Sequence, residues 1–106
     1  MLKNKASLAN LMLTVEKGWV FNEDRYPLMS HQKQDLFILQ HTILHMQTAL
    51  ADMARQLERS QHGRGINHAI LELAIKKQFV NVLRVAAEFG VSAPELADHV
   101  IVSFAE

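Results

Sequence analysis

Apolar residues recur at helical spacing along almost the whole chain. In the longest stretch without glycine or proline, residues 31–60, steps of three and four predict one apolar stripe: Leu36, Leu39, Ile43, Met46, Leu50, Met53 and Leu57. We expect this stripe to be the packed face of a long helix. At about 100° per residue, polar side chains gather on the opposite face of the same helix: His41, His45, Thr48, Asp52, Arg55 and Arg59.

The stretch before the long helix predicts a short helix and an ordered connection. Apolar spacing indicates a helix over about residues 5–17, with Gly18 at its end. Residues 18–30 contain Pro27 and three aromatic side chains within eight positions, which is typical of an ordered segment. Ser30 is expected to cap the long helix, because its hydroxyl can accept from a free backbone N–H.

Two further helices follow the short connection "HGRG". Asn67 is expected to cap a third helix that runs to about Phe89 and is apolar around most of its circumference. Its narrow polar face carries Lys77, Asn81, Arg84 and Glu88. The segment "SAPE" has the pattern of a capping box, so Ser92 is expected to start a last helix over about residues 93–104.

These elements predict an all-α fold, a small bundle of about four helices in a single domain over residues 1–106. Residues 1–30 supply the N-terminal helix and the aromatic connection, and residues 31–104 supply the helical core. Short connections favour antiparallel neighbours. Because the third helix is so widely apolar, we expect a homodimer to complete the bundle.

Composition narrows the classes of partner. The chain has 106 residues, 11 basic and 11 acidic, divided evenly between its two halves, and 49% of its residues are hydrophobic. No basic stripe is visible, so we expect no DNA or RNA polymer as a partner. No apolar run reaches the roughly 18 residues of a membrane span, so no membrane association is expected. The absence of cysteine excludes thiolate sites and fits a cytoplasmic location.

Histidine and carboxylate pairs suggest a metal site. His41 and His45 are four residues apart, as are His68 and Glu72, and Asp52 shares the face of the first pair. Side chains at this spacing on two helices can hold a divalent ion such as Mg²⁺, Mn²⁺ or Zn²⁺. The alternative is that the first helix simply exposes a solvated polar face. For the second pair, the alternative is that Glu72 pairs with Lys76 at the wet start of the third helix.

Aromatic and basic residues suggest a ligand. Trp19, Phe21 and Tyr26 could stack on a nucleobase, or could close one end of the bundle. Five basic residues could bind phosphate, although basic residues on helices commonly serve solubility: Arg55, Arg59, Arg64, Lys76 and Lys77.

Residues 31–104 resemble the MazG-like, all-α nucleoside triphosphate pyrophosphohydrolases. The resemblance rests on "HTILHMQTALADMARQLERSQHG" and "LAIKKQFVNVLRVAAEFGVSAPELADHV". It implies a dimer of helical bundles whose acidic side chains hold magnesium and cleave a nucleotide between its α and β phosphates. Where that family has an acidic E-E-x-x-E-type motif, this chain has His41, His45 and Asp52, and its second acidic pair is reduced to Glu72, with Asn81 nearby.

Two functions from different classes follow. In the first, the protein binds a nucleotide with a metal ion, with hydrolysis as an open further step. His41, His45, Asp52, His68 and Glu72 would hold the metal, and Arg55, Lys76 and Trp19 would hold the nucleotide. Asp52 and Glu72 would be catalytic and a metal-bound water would attack. In the second, the chain is a non-catalytic helical interaction module, of the kind that mobile elements encode.

A third interpretation, a hemerythrin-like or ferritin-like iron site, rests only on the two pairs at four-residue spacing. The long helix lacks the further carboxylates that such a site needs.

Overall fold

Helices make up most of the computed structural model, which describes residues 7–105. They are, in chain order, α1 (Leu8–Gly18), a 3-10 helix (Pro27–His31), α2 (Gln34–Gln61), α3 (His68–Glu88) and α4 (Ala93–Phe104). No strand occurs within the described residues. The predicted all-α class and the four-helix architecture are therefore confirmed.

Side chains cap three of the four α-helices. The Ser7 hydroxyl accepts from the Asn10 N–H at 3.1 Å, and the Asn67 side chain accepts from the Ile70 N–H at 3.2 Å. At α4, Ser92 and Glu95 form the complete capping box, with hydrogen bonds of 3.3 and 3.1 Å. Each cap satisfies a backbone donor that the first helical turn leaves free, which fixes where the helix begins.

The predicted cap of α2 is wrong. Ser30 lies inside the 3-10 helix, which Pro27 begins and His31 ends. α2 begins at Gln34, and the residue before it, Lys33, makes no side-chain cap. Because Pro27 fixes a helical φ at its own position, it starts a separate turn before the long helix.

Helices α2 and α3 form an antiparallel hairpin. The Gln56 side chain accepts from the Asn67 N–H at 2.7 Å near the turn, and the Gln78 amide donates to the Met46 carbonyl at 3.2 Å further along. The residues at the seam between the helices are mostly small or polar, and each is at most 4% exposed: Ile38, Thr42, Ala49, Gln56, Ala74 and Asn81. Small side chains allow the two backbones to approach closely.

The prediction of which face of α2 is packed is also wrong. Leu36, Ile43, Leu50 and Leu57, from the predicted packed stripe, are 41–59% exposed. The seam runs instead between this stripe and the polar face of the helix, through Thr42, Ala49 and Gln56. These residues tolerate burial because their polar atoms are satisfied, as when the Thr42 hydroxyl donates to the Ile38 carbonyl at 2.6 Å.

Two small apolar clusters cover one side of the hairpin. Where α1 crosses α3, Met12 packs with Leu83 and Ala86. Where the aromatic connection meets α2, Phe21 packs with Met29 and Ile38. α4 contributes no buried residue and packs mainly on α1. Within residues 7–105, none of the helices is long and apolar enough to span a membrane.

Candidate functional site

A cavity of about 550 Å³ opens between the end of α1, the aromatic connection and the α2–α3 hairpin. Six of the side chains that line it bear on its chemistry: Trp19, Arg25, Tyr26, His45, Lys76 and Lys77. Three separate segments of the chain supply them. Its volume lies within the range of about 300–1,000 Å³ that is usual for small-molecule sites.

Trp19 and Tyr26 line one side of the cavity, and together with Phe21, which does not line it, they form an aromatic wall. The Trp19 indole N–H donates to the Tyr26 hydroxyl at 3.1 Å. Phe21 stacks on both of the other rings, with centroid distances of 5.4 Å to Trp19 and 4.7 Å to Tyr26. Phe21 is itself buried. The rings therefore hold each other in place before any ligand arrives.

Arg84 fixes this wall to α3. Its Nε donates to the Trp19 carbonyl at 2.8 Å, and its Nη1 donates to Glu88 at 3.1 Å. The guanidinium carbon lies 5.1 Å from the centre of the Phe21 ring, a cation–π distance. Although the helical pattern assigns Arg84 to an exposed polar face, it is only 5% exposed. Its partner at position 19 is 65 residues away in the chain, so spacing along α3 gave no signal of the burial.

Cationic side chains form the rest of the polar lining. Arg25, Lys76 and Lys77 contribute three positive charges, and none of the lining residues is an aspartate or glutamate. Because all three are solvent-exposed, water screens each one, but their fields add at the mouth of the cavity. The cavity is therefore suited to an anion that also has an aromatic surface.

His41 and His45 lie together beside the aromatic wall. Their Nε2 atoms are 3.1 Å apart, so one ring donates to the other when both are neutral. His41 stacks on Phe37 at 5.8 Å and meets Tyr26 edge-on at 4.7 Å. His45 meets Trp19 edge-on at 5.2 Å. His41 is thus half-buried against aromatic rings, whereas His45 remains exposed on the same face.

The structure separates the other predicted metal ligands from this pair. Asp52 is seven residues from His45, about 10 Å along the helix axis, and forms an ion pair with Arg55. His68 and Glu72 are exposed in the first turns of α3. Across residues 7–105, no group of three or more histidines and carboxylates is arranged to hold a metal ion. The five-residue ligand set stays a prediction, with only His41 and His45 adjacent in this chain.

Five of the predicted ligand and metal residues line the cavity: Trp19, Tyr26, His45, Lys76 and Lys77. Arg55 does not, because its guanidinium pairs with Asp52 on α2. The sequence did not point to Arg25, which also lines the cavity. Arg25 is adjacent in sequence to Tyr26, and that adjacency is the only signal that could have pointed to it.

No protein-family model, curated protein or solved structure matches this chain. The MazG-like resemblance therefore rests on the sequence segments alone and stays a prediction.

Burial of His41 predicts that stability depends on pH. Burial lowers the pKa of His41 below its ordinary value of 6.5, and the neighbouring His45 lowers that pKa further. The unfolded chain therefore binds this proton more tightly than the folded one. The free energy of unfolding should be highest above pH 6.5 and should decrease as the pH falls from 6.5 towards the lowered pKa. Thermal melts between pH 8 and pH 5 measure this change.

A matched pair of variants isolates the contribution of His41. His41→Gln should flatten the decrease of melting temperature with falling pH, whereas His62→Gln, at an exposed position beyond α2, should keep the wild-type slope. Equal slopes in all three proteins would show that protonation of His41 does not control the stability.

Proposed function

We propose that this protein binds a nucleotide in the cavity beside α1. The observation that carries the proposal is an aromatic wall and three cationic side chains lining one cavity with no carboxylate among them. A base can stack on an aromatic side chain, a contact worth about 1–3 kcal/mol. Phosphate groups are favoured by arginine and lysine, which offer charge-assisted hydrogen bonds.

In this proposal each end of the nucleotide has its own partners. The base would lie against Trp19 and Tyr26, whose rings are held by each other and by Phe21. The phosphates would extend towards Lys76 and Lys77 on α3, with Arg25 available for bidentate contact. His45 would donate to the ligand from the α2 side.

Binding is the proposed activity, and hydrolysis is a separate step that the resemblance predicts. That step would require a divalent metal ion, held by His41, His45, Asp52, His68 and Glu72, with Asp52 and Glu72 as catalytic groups. In the single chain neither Asp52 nor Glu72 lines the cavity. Binding without metal is therefore the part of the function that the geometry supports best.

Fluorescence of Trp19, the only tryptophan of the chain, tests this proposal. Titration with ATP in the presence of EDTA should quench the emission, because the base stacks on the indole. The double variant Lys76→Gln/Lys77→Gln should weaken binding at least about 10-fold, since each lost charge-assisted contact costs on the order of 1 kcal/mol in an exposed site. Repeating the titration with Mg²⁺, Mn²⁺ or Zn²⁺ and measuring pyrophosphate tests the hydrolytic step separately.

The control variant removes the same charge elsewhere. Lys33→Gln/Arg64→Gln changes two exposed cationic residues that do not line the cavity and should bind ATP as tightly as the wild type. No quenching at millimolar ATP, or equal weakening by both double variants, would refute the proposal.

The exposed apolar residues of α2 favour a second candidate function, the helical interaction module. Leu36, Ile43, Leu50 and Leu57 leave much of their surface in water on one side of the longest helix. Exposed apolar side chains in a contiguous patch mark protein contact sites. A chain with this function alone would fail the ATP titration yet bind a protein through α2.

A further inference from the structure

One side of the α2–α3 hairpin has no covering element within the described residues. α1 and the aromatic connection pack on the other side, where they form the cavity. Eight large apolar side chains on the uncovered side are 41–59% exposed, and we call them the apolar face: Leu36, Ile43, Leu50, Leu57, Ile75, Phe79, Val82 and Phe89.

Helix geometry places these eight residues on the same side of the hairpin. The antiparallel pairing of Gln56 with Asn67 and of Gln78 with Met46 fixes the register of the two helices. At about 100° per residue, Leu50 and Thr48 lie in opposite rotational directions from the seam at Ala49. Thr48 lines the cavity. On α3, Val82 and Val80 lie in opposite rotational directions from the seam at Asn81, and Val80 lines the cavity, so the apolar face and the cavity lie on opposite sides.

The α2 part of the face has the spacing of a helix that packs against another helix. Leu36, Ile43, Leu50 and Leu57 recur every seven residues, and the half-buried residues between them are also apolar: Leu39, Met46 and Met53. This is an a/d heptad pattern over three intervals. The exposed positions beside the stripe are also uncharged: Gln40, Gln47 and Ala54. The α2 part of the face therefore carries no charge that would repel the same helix of a second copy.

The exposed area matches what a stable dimer requires. Roughly half of each of eight large side chains leaves on the order of 800 Å² in water, close to the ~800 Å² that each partner contributes to a standard interface. Monomeric proteins rarely expose an apolar patch above about 300–600 Å². The patch is therefore larger than a solvated monomer normally carries.

We infer that the apolar face is the interface for a second copy of this chain. Two hairpins pack face to face about a two-fold axis, so that α2 and α3 of both copies form one four-helix layer with the eight residues of each copy at its centre. The two cavities lie on the outer sides of this dimer and remain open. Dimer formation does not depend on nucleotide binding, so a failure of one proposal leaves the other standing.

The oligomeric state of the full chain tests this inference. Sedimentation equilibrium at increasing concentration should give twice the 12.0 kDa of one chain. Leu50→Glu and Phe79→Glu each place two carboxylates in a symmetric interface, so each should raise the dimer dissociation constant about 100-fold or more. Both positions are exposed in the single chain, so the variants should keep its helical content by circular dichroism.

A matched control introduces the same charge outside the face. Leu28→Glu, at a residue that is 65% exposed in the 3-10 helix, should leave the dissociation constant unchanged. A wild-type chain that stays monomeric would overturn the inference and leave the face to another protein. The inference would also be overturned if Leu50→Glu and Phe79→Glu did not weaken the dimer. A series of oligomers larger than a dimer would overturn it as well.

Discussion

Arg84→Ala is expected to lower the free energy of unfolding by about 3 kcal/mol, because one buried side chain holds α3 to the aromatic wall. The substitution removes the donor to the Trp19 carbonyl and leaves Glu88 without its cationic partner. It also removes the group that packs over Phe21. A loss of this size is a large share of the roughly 5–15 kcal/mol that stabilises a typical domain.

Denaturant unfolding followed by Trp19 fluorescence and by circular dichroism measures the effect. Arg59→Ala, at an exposed arginine near the end of α2, is the control and should change the stability by less than about 0.5 kcal/mol. Arg84→Lys retains the charge but cannot reproduce both directed contacts of the guanidinium. Its loss of unfolding free energy should therefore lie between the losses for Arg59→Ala and Arg84→Ala. A loss below about 1 kcal/mol for Arg84→Ala would show that the wall does not depend on this contact.

The loosened wall should also bind nucleotide more weakly. Trp19 and Tyr26 owe their placement to Arg84 through the Trp19 carbonyl and the Phe21 ring, although Arg84 does not line the cavity. It is therefore a positioning residue for the proposed site. Arg84→Lys should be more stable than Arg84→Ala, and it should also bind ATP more tightly than Arg84→Ala.

Helix starts could be predicted from the sequence where the signal is local. Asn67 and Ser92 each bond to a backbone N–H three residues ahead, so a window of four residues contains both partners. The turn at Gly90, whose φ is +73°, is equally local, because this left-handed conformation is one that glycine adopts without strain. The prediction that Ser30 caps α2 is wrong because Pro27 starts a separate 3-10 helix that contains Ser30.

The packed face of α2 could not be predicted in this way. Periodicity shows that an apolar stripe runs through Ile43 and Leu50, but it does not show what covers that stripe. In the single chain the seam uses Thr42 and Ala49 instead, because their small size lets α3 approach. The inferred second copy would reconcile the pattern with the fold, since it would bury the stripe that the chain leaves exposed.

The candidate site was predictable only as a set of residue types. The sequence suggests Trp19 for stacking and Lys76 for phosphate, and the fold places both on one cavity. Arg55 was chosen on the same grounds, but a local partner, Asp52, is three residues away. Which cations reach the cavity depends on how α1 crosses the hairpin, and that contact joins residues far apart in the chain.

Neighbouring positions on α2 give the sharpest test of its orientation. Ala49 is 1% exposed at the seam, whereas Leu50 is 59% exposed on the apolar face. Ala49→Glu would force a carboxylate between two closely packed helices, with an expected loss of about 4 kcal/mol or more in the free energy of unfolding. Leu50→Glu places the same carboxylate in water and should leave a folded, helical chain. Circular dichroism and thermal melts distinguish the two.

The apolar stripe taken alone predicts the opposite order, because it places Leu50 in the core and Ala49 off the packed face. Ala49→Ser is the control at the seam, since a hydroxyl can bond to the preceding turn of its own helix and adds little volume. A helical, cooperatively melting Ala49→Glu together with an unfolded Leu50→Glu would show that the stripe is the packed face. The reverse result would establish that small residues join α2 to α3 and that Leu50 faces outward.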